Sequence, residues 1–160
     1  MRRDLIALPD ESKVWIYQAD HKIDVPVTDK IKSHLYDFTM SWQSHGAELD
    51  CYGHVFHNRF LVLVTDESNH PSGCSIDSSV HFVKSIGAQY GIDFFDRLKI
   101  GYIDDNEIKL IHKNEFKQAY DDQIITGETL MFNNLVKSKS EFLDEWVVPL
   151  KDSWYMKWIA

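Results

Sequence analysis

Five consecutive apolar residues, Phe60-Leu61-Val62-Leu63-Val64, constrain the fold more than any other part of this chain. A strand with one wet face alternates apolar and polar residues, and an unbroken apolar run marks a strand covered on both sides. The chain then turns polar at Thr65-Asp66-Glu67-Ser68, breaks at Asn69-His70-Pro71-Ser72-Gly73 and enters a helical pattern at Cys74-Ser75-Ile76-Asp77-Ser78-Ser79-Val80. A buried strand thus leads carboxylates and a thiol to a strand-to-helix junction. Helix N-termini lower thiol pKa values and attract anions, so chemistry is expected there first.

The rest of the pattern supplies the neighbours. Val14-Trp15-Ile16-Tyr17 is a second run without alternation. A helix is predicted from Thr28, as N-cap, to His45, with Ile31, Leu35, Phe38 and Trp42 on one face and Gly46 as its C′ residue. Glu48 to Phe56 reads as an alternating strand that turns at His57-Asn58. A helix capped by Ser75 runs to Tyr90 and stops at Gly91. Arg97 to Ile103 alternates, turns at Asp104-Asp105-Asn106 and returns as a strand from Glu107 to His112. A short helix carries Phe116, Ala119 and Tyr120, and Leu130-Met131-Phe132 is a sixth strand. Ser138-x-x-Glu141 is a capping box opening a last helix with Phe142 and Trp146, ended or kinked by Pro149.

The first 103 residues therefore read β-α-β-β-α-β, the order of ferredoxin-like folds. In that plan strands one and three are central, and these are the two runs without alternation. The expectation is an α+β protein with a ferredoxin-like βαββαβ core, an antiparallel sheet with two helices on one face, and a C-terminal β/α extension. No repeat or linker interrupts it, so residues 1–160 are expected to form a single domain.

Charge and cysteine usage narrow the partners. The net charge of −8 comes with no clustered Lys/Arg stripe, so neither nucleic acid nor an anionic membrane is an expected partner. No apolar run approaches the ~18 residues of a membrane span, and Met1 to Pro9 lacks the apolar core of a signal peptide. Two isolated cysteines, Cys51 and Cys74, fit a reducing compartment, and the expected location is the cytoplasm. There is no G-x-x-x-x-G-K-[ST], G-x-G-x-x-G or G-x-S-x-G, which argues against P-loop, dinucleotide and hydrolase-elbow chemistry.

Each candidate site has a structural counterpart. Cys74 is a nucleophile or redox thiol, or a small packing residue; His70 is the histidine able to reach it, and Asp66 would orient that base. Asp66, Asp77 and Asp96 could bind a divalent cation, although Asp77 is explained by the helix dipole and Asp66-Glu67-Ser68 by a solvated turn. Ser72, Gly73 and Ser75 offer backbone N–H groups to an anion, or form an ordinary cap. Asn133 and Asn134 recognise a ligand or satisfy a loop. His54 and His57 lie across a hairpin with no third metal ligand. Trp146, Trp154, Tyr155 and Trp158 form a partner-binding patch or bury.

Several of these segments resemble an uncharacterised family of small proteins from Bacteroidetes-type bacteria. They are Asn58-Arg59-Phe60-Leu61-Val62-Leu63, Ser72-Gly73-Cys74-Ser75-Ile76-Asp77-Ser78-Ser79, Phe94-Phe95-Asp96-Arg97-Leu98, Phe132-Asn133-Asn134-Leu135-Val136 and Val148-Pro149-Leu150-Lys151-Asp152-Ser153-Trp154. The resemblance covers nearly the whole chain. Members sometimes carry an automated label of ABC transporter ATPase, which this sequence does not support, since it lacks both the Walker A motif and L-S-G-G-Q. The resemblance implies one chain-length domain and carries over no catalytic residues.

The leading expectation is a binding or interaction module without catalysis or cofactor, its partner a protein, a small molecule or a second copy of the chain as a homodimer. The second is a thiol-dependent enzyme or redox sensor using Cys74, His70 and Asp66. The third is a metal-dependent phosphoryl enzyme using Asp66, Asp77 and Asp96.

Overall fold

A computed structural model describes residues 1–44, 46–68 and 74–160, with only the backbone described for Ser44, Cys74 and Ser75. The chain falls into two compact units: Met1–Asp96 with Leu135–Phe142, and Arg97–Asn134 with Leu143–Ala160. Both are antiparallel sheets with helices, so the protein is α+β.

The first unit is built on β1 (Lys13–Gln18), β4 (Asp50–Phe56) and β5 (Phe60–Asp66), in the order β1-β5-β4. A minor hairpin, β2 (Gln43–Ser44) with β3 (Ala47–Glu48), precedes β4. The apolar run is the middle strand, and every residue from Phe60 to Thr65 is buried. Helices α1 (Val25–Ser41) and α2 (Cys74–Tyr90) cover one face. Ile31 and Leu35 of α1 and Val83 and Ile86 of α2 share one core with Tyr17, Cys51, Val55, Leu61 and Leu63. Phe38 and Phe82 stack between the helices at 4.2 Å. His57 (φ 57°) and Asn58 (φ 55°) make the hairpin turn, both left-handed as a type I′ turn requires.

Two helix boundaries differ from expectation. Helix α1 starts at Val25, not Thr28, because a proline is tolerated in the first turn, where its missing N–H has no partner to lose. Thr28 is instead a buried residue inside that turn. The helix ends at Ser41, so Gly46 (φ 79°) serves the β2–β3 turn rather than a helix end. At the end of α2 the expectation holds: Gly91 (φ 68°) is left-handed and the Ile92 N–H bonds the Gly87 carbonyl.

The β1-β5-β4 order matches strands one, three and two of a ferredoxin-like sheet, but the strand expected fourth does not lie beside β1. Residues 137–138 take that place: Val14 N–H bonds the Lys137 carbonyl, and Lys13 bridges Ser138. The segment after α2 is spent elsewhere. Ile92 and Phe94 return to the helix-covered core, and Asp20 N–H bonds the Asp93 carbonyl.

The expected fourth strand is β6 (Lys99–Asp104), the second strand of another sheet. It pairs with β7 (Glu107–His112) through left-handed Asp105 and Asn106, and with β8 (Leu130–Phe132) on its other side. The order is β7-β6-β8-β9, with β9 at Val147–Pro149. Helix α3 (Lys113–Asp121) is capped by the His112 ring, which accepts the Asn114 N–H. The capping box opens α4 (Lys139–Glu145): Ser138 Oγ accepts the Glu141 N–H, and the Glu141 carboxylate reaches back to the Lys137 N–H. Among the described residues, no helix is long and apolar enough to cross a membrane.

Candidate functional site

The strand-to-helix junction is where the sequence points. Helix α2 begins at Cys74, which puts that backbone at the N-terminus of a 17-residue helix. The Cys74 and Ser75 side chains, and His70, Ser72 and Gly73 entirely, lie outside the described residues. Asp66 ends β5 and accepts the Ser68 N–H at 3.1 Å, a local turn contact. Asp77 is exposed in the first turn of α2. Among the described residues no group of three or more His, Cys, Asp or Glu side chains is placed to hold a metal ion. Asp66, Asp77 and Asp96 are therefore not brought together, and neither are His54 and His57 with a third ligand.

Other expected sites make contacts within the fold. The Asn133 N–H bonds the Trp146 carbonyl at 2.6 Å, and Asn134 Oδ1 accepts the Trp146 indole N–H at 2.9 Å. The Asn133 backbone and the Asn134 side chain thus both hold Trp146. The aromatic tail packs inward: Tyr155 is buried with Phe116 in the second unit's core, and Trp154 and Trp158 pack against it. The Tyr155 hydroxyl donates to the Phe132 carbonyl at 2.9 Å, and burial pushes its pKa up to about 12. Cys51 is buried under α1, donates to the Thr39 carbonyl at 3.2 Å, and is pushed up to about 11, chiefly by burial. Such a thiol is inert at neutral pH.

Two clusters were missed by sequence reasoning, and both involve residues 1–12. The first surrounds Arg2 at the edge of β4. The Cys51 N–H bonds the Met1 carbonyl at 3.1 Å, and the Arg3 N–H bonds the Cys51 carbonyl at 2.7 Å, so residues 1–3 add to the strand edge in parallel. Arg2 Nη1 donates to Thr39 Oγ1 at 3.0 Å and to the Gly53 carbonyl at 3.2 Å. Its Cζ lies 5.5 Å from the Tyr36 ring centroid and 5.6 Å from that of Tyr52, within cation–π range of both. Arg3 pairs with Asp50 at 3.1 Å. Beyond Tyr52 the row continues through His54 and Phe56 to Phe142. Burial holds the His54 pKa below its usual value, with Lys32 and Arg2 adding to the effect.

The second cluster is a strap. Lys139 is 5% exposed, and its Nζ donates to the Leu8 carbonyl at 2.6 Å and the Ile6 carbonyl at 3.4 Å. Lys139 N–H bonds the Ser12 carbonyl, and Ser140 N–H the Asp10 carbonyl. A buried ammonium has to find such acceptors, and here they hold the segment before β1 against the start of α4.

Comparison with protein-family models, curated proteins and solved structures finds no match to this chain.

Proposed function

We propose that the chain is a non-enzymatic binding or interaction module that works in the cytoplasm through the outer face of α1. One observation carries this reading. Tyr36 and Met40, one helical turn apart, are 53% and 45% exposed. Large apolar side chains grouped on one exposed helix face mark interaction surfaces more often than scattered ones. The partner is a protein or small molecule, a second copy of the chain included. The ferredoxin-like reading belongs here only as the β1-β5-β4 order that presents α1 against β4.

Light scattering over a concentration series, together with a pull-down, tests the reading with wild type and a Met40→Ser variant, which leaves the rings beside Arg2 in place. Met40 is exposed, so the substitution removes no core contact. A complex formed by wild type and lost in the variant is expected. A strict monomer that retains no partner contradicts the reading.

A second reading, a thiol-dependent enzyme or redox sensor, is favoured by the start of α2 at Cys74, where helix N–H groups stabilise a thiolate. The phosphoryl-enzyme reading has no such support, since its three carboxylates do not converge.

A further inference from the structure

Residues 1–3 sit on the β4 edge as a bound peptide would. Their backbone exchanges hydrogen bonds with Cys51 on both sides. Arg2 fills a cage of two tyrosine rings, the Thr39 hydroxyl and the Gly53 carbonyl, and Arg3 meets Asp50. We propose that this surface is a binding site for an extended peptide segment carrying an arginine, and that Arg2 is its built-in plug.

The chemistry of the cage selects the ligand. A guanidinium is planar, delocalised and more weakly hydrated than an ammonium, so it sits against aromatic rings more readily; here its Cζ lies 5.5 and 5.6 Å from two tyrosine ring centroids while one nitrogen donates to both acceptors, at 3.0 and 3.2 Å. A lysine ammonium could make the two hydrogen bonds but lacks the plane. Strand addition supplies main-chain bonds that any sequence can make, and side-chain pockets supply the selectivity. Asp50 places a carboxylate where the residue after the arginine carries a second cation. The net charge of −8 favours encounter with a cationic segment.

The plug is tied close to a fixed root. Lys139 holds the carbonyls of Ile6 and Leu8, and the chain from Ile6 back to Arg2 spans at most roughly 13 Å. A tether of this length gives the plug an effective concentration of millimolar or above. A peptide in trans therefore competes poorly until the plug is weakened.

This proposal rests on the binding-module reading and fails separately from it. Light scattering and pull-down report whether the α1 face binds anything; peptide titration reports whether it recognises a guanidinium. The probe is an end-blocked peptide with the sequence of residues 1–4, titrated calorimetrically into wild type and Arg2→Met, which keeps the apolar stem. A control peptide replaces its first arginine with norleucine. Arg2→Met is expected to bind the probe about tenfold more tightly than wild type does. Thr39→Val in that background is expected to remove about tenfold of the gain. Equal binding of probe and control, or no gain over wild type up to about 5 mM peptide, overturns the proposal. Arg2→Gln, read the same way, replaces Arg2→Met if circular dichroism shows that variant unfolded.

Discussion

The two units bury themselves by different means. The first covers one face of a sheet built on an aliphatic strand with two 17-residue helices, and the buried part of that core is largely Leu, Ile and Val. The second has short strands and a nine-residue helix, and relies on Phe116, Tyr155 and the flanking tryptophans. The difference shows where aromatic residues are free to do something else. In the second unit Phe116 and Tyr155 are buried in the core, and Trp154 and Trp158 pack against it. In the first unit aliphatic residues fill most of the buried core, aromatics such as Phe38 and Phe82 pack at its margin, and Tyr36 and Tyr52 lie further out, beside a cation.

The sharpest way to break this comparison is to remove a ring from the second core. Phe116 is fully buried, and Phe116→Ala is expected to cost about 3–5 kcal/mol in urea denaturation. Tyr36→Ala is expected to cost below about 1 kcal/mol, since it deletes one exposed cation–π contact. Equal costs at the two positions would erase the distinction.

Lys139→Met comes next. It leaves the buried Leu8 carbonyl without its donor, at an expected cost of about 1–3 kcal/mol. Amide exchange in residues 5–8 should quicken more than in β5; unchanged exchange would show that the lysine is not a strap. Tyr155→Phe should cost about 1 kcal/mol, the worth of one buried hydrogen bond to Phe132.

The smallest effect is on pH. His54 has a folded-state pKa below its ordinary 6.5. The unfolded chain therefore binds more protons in that range, and stability rises with pH there. The contribution is fully present above about pH 6.5 and lost as pH falls through the lowered folded value. It amounts to a fraction of a kcal/mol, because the residue is partly exposed to solvent screening. His54→Gln should flatten stability between about pH 7 and 5, and an unchanged slope would place the titration elsewhere.

Local rules were legible and long-range ones were not. The left-handed turns at His57-Asn58 and Asp105-Asn106, the stop at Gly91 and the capping box at Ser138 all depend on neighbours in sequence. The all-buried β5 was legible because five apolar residues leave no wet face. The partner of β6 was not, since alternation states that one face is dry and not which sheet supplies the next strand. Arg2 and Lys139 were invisible for a related reason. A single cation near a chain end or inside a helix cap reads as solvated, and only tertiary contact reveals that its acceptors are carbonyls of distant residues. A cation cage at a strand edge thus joins the thiol at a helix start as a candidate site.

The most direct test of a binding module against thiol chemistry is the alkylation rate of Cys74 as a function of pH, followed by peptide mapping in the wild-type protein. Cys51, buried and raised to about 11, serves as the unreactive internal reference. The binding-module account predicts a Cys74 rate that keeps rising through the ordinary thiol range near 8.5, or no reaction before unfolding. A plateau below about pH 7.5 would mean an activated thiolate. That result would contradict the account and put the enzyme or sensor reading first.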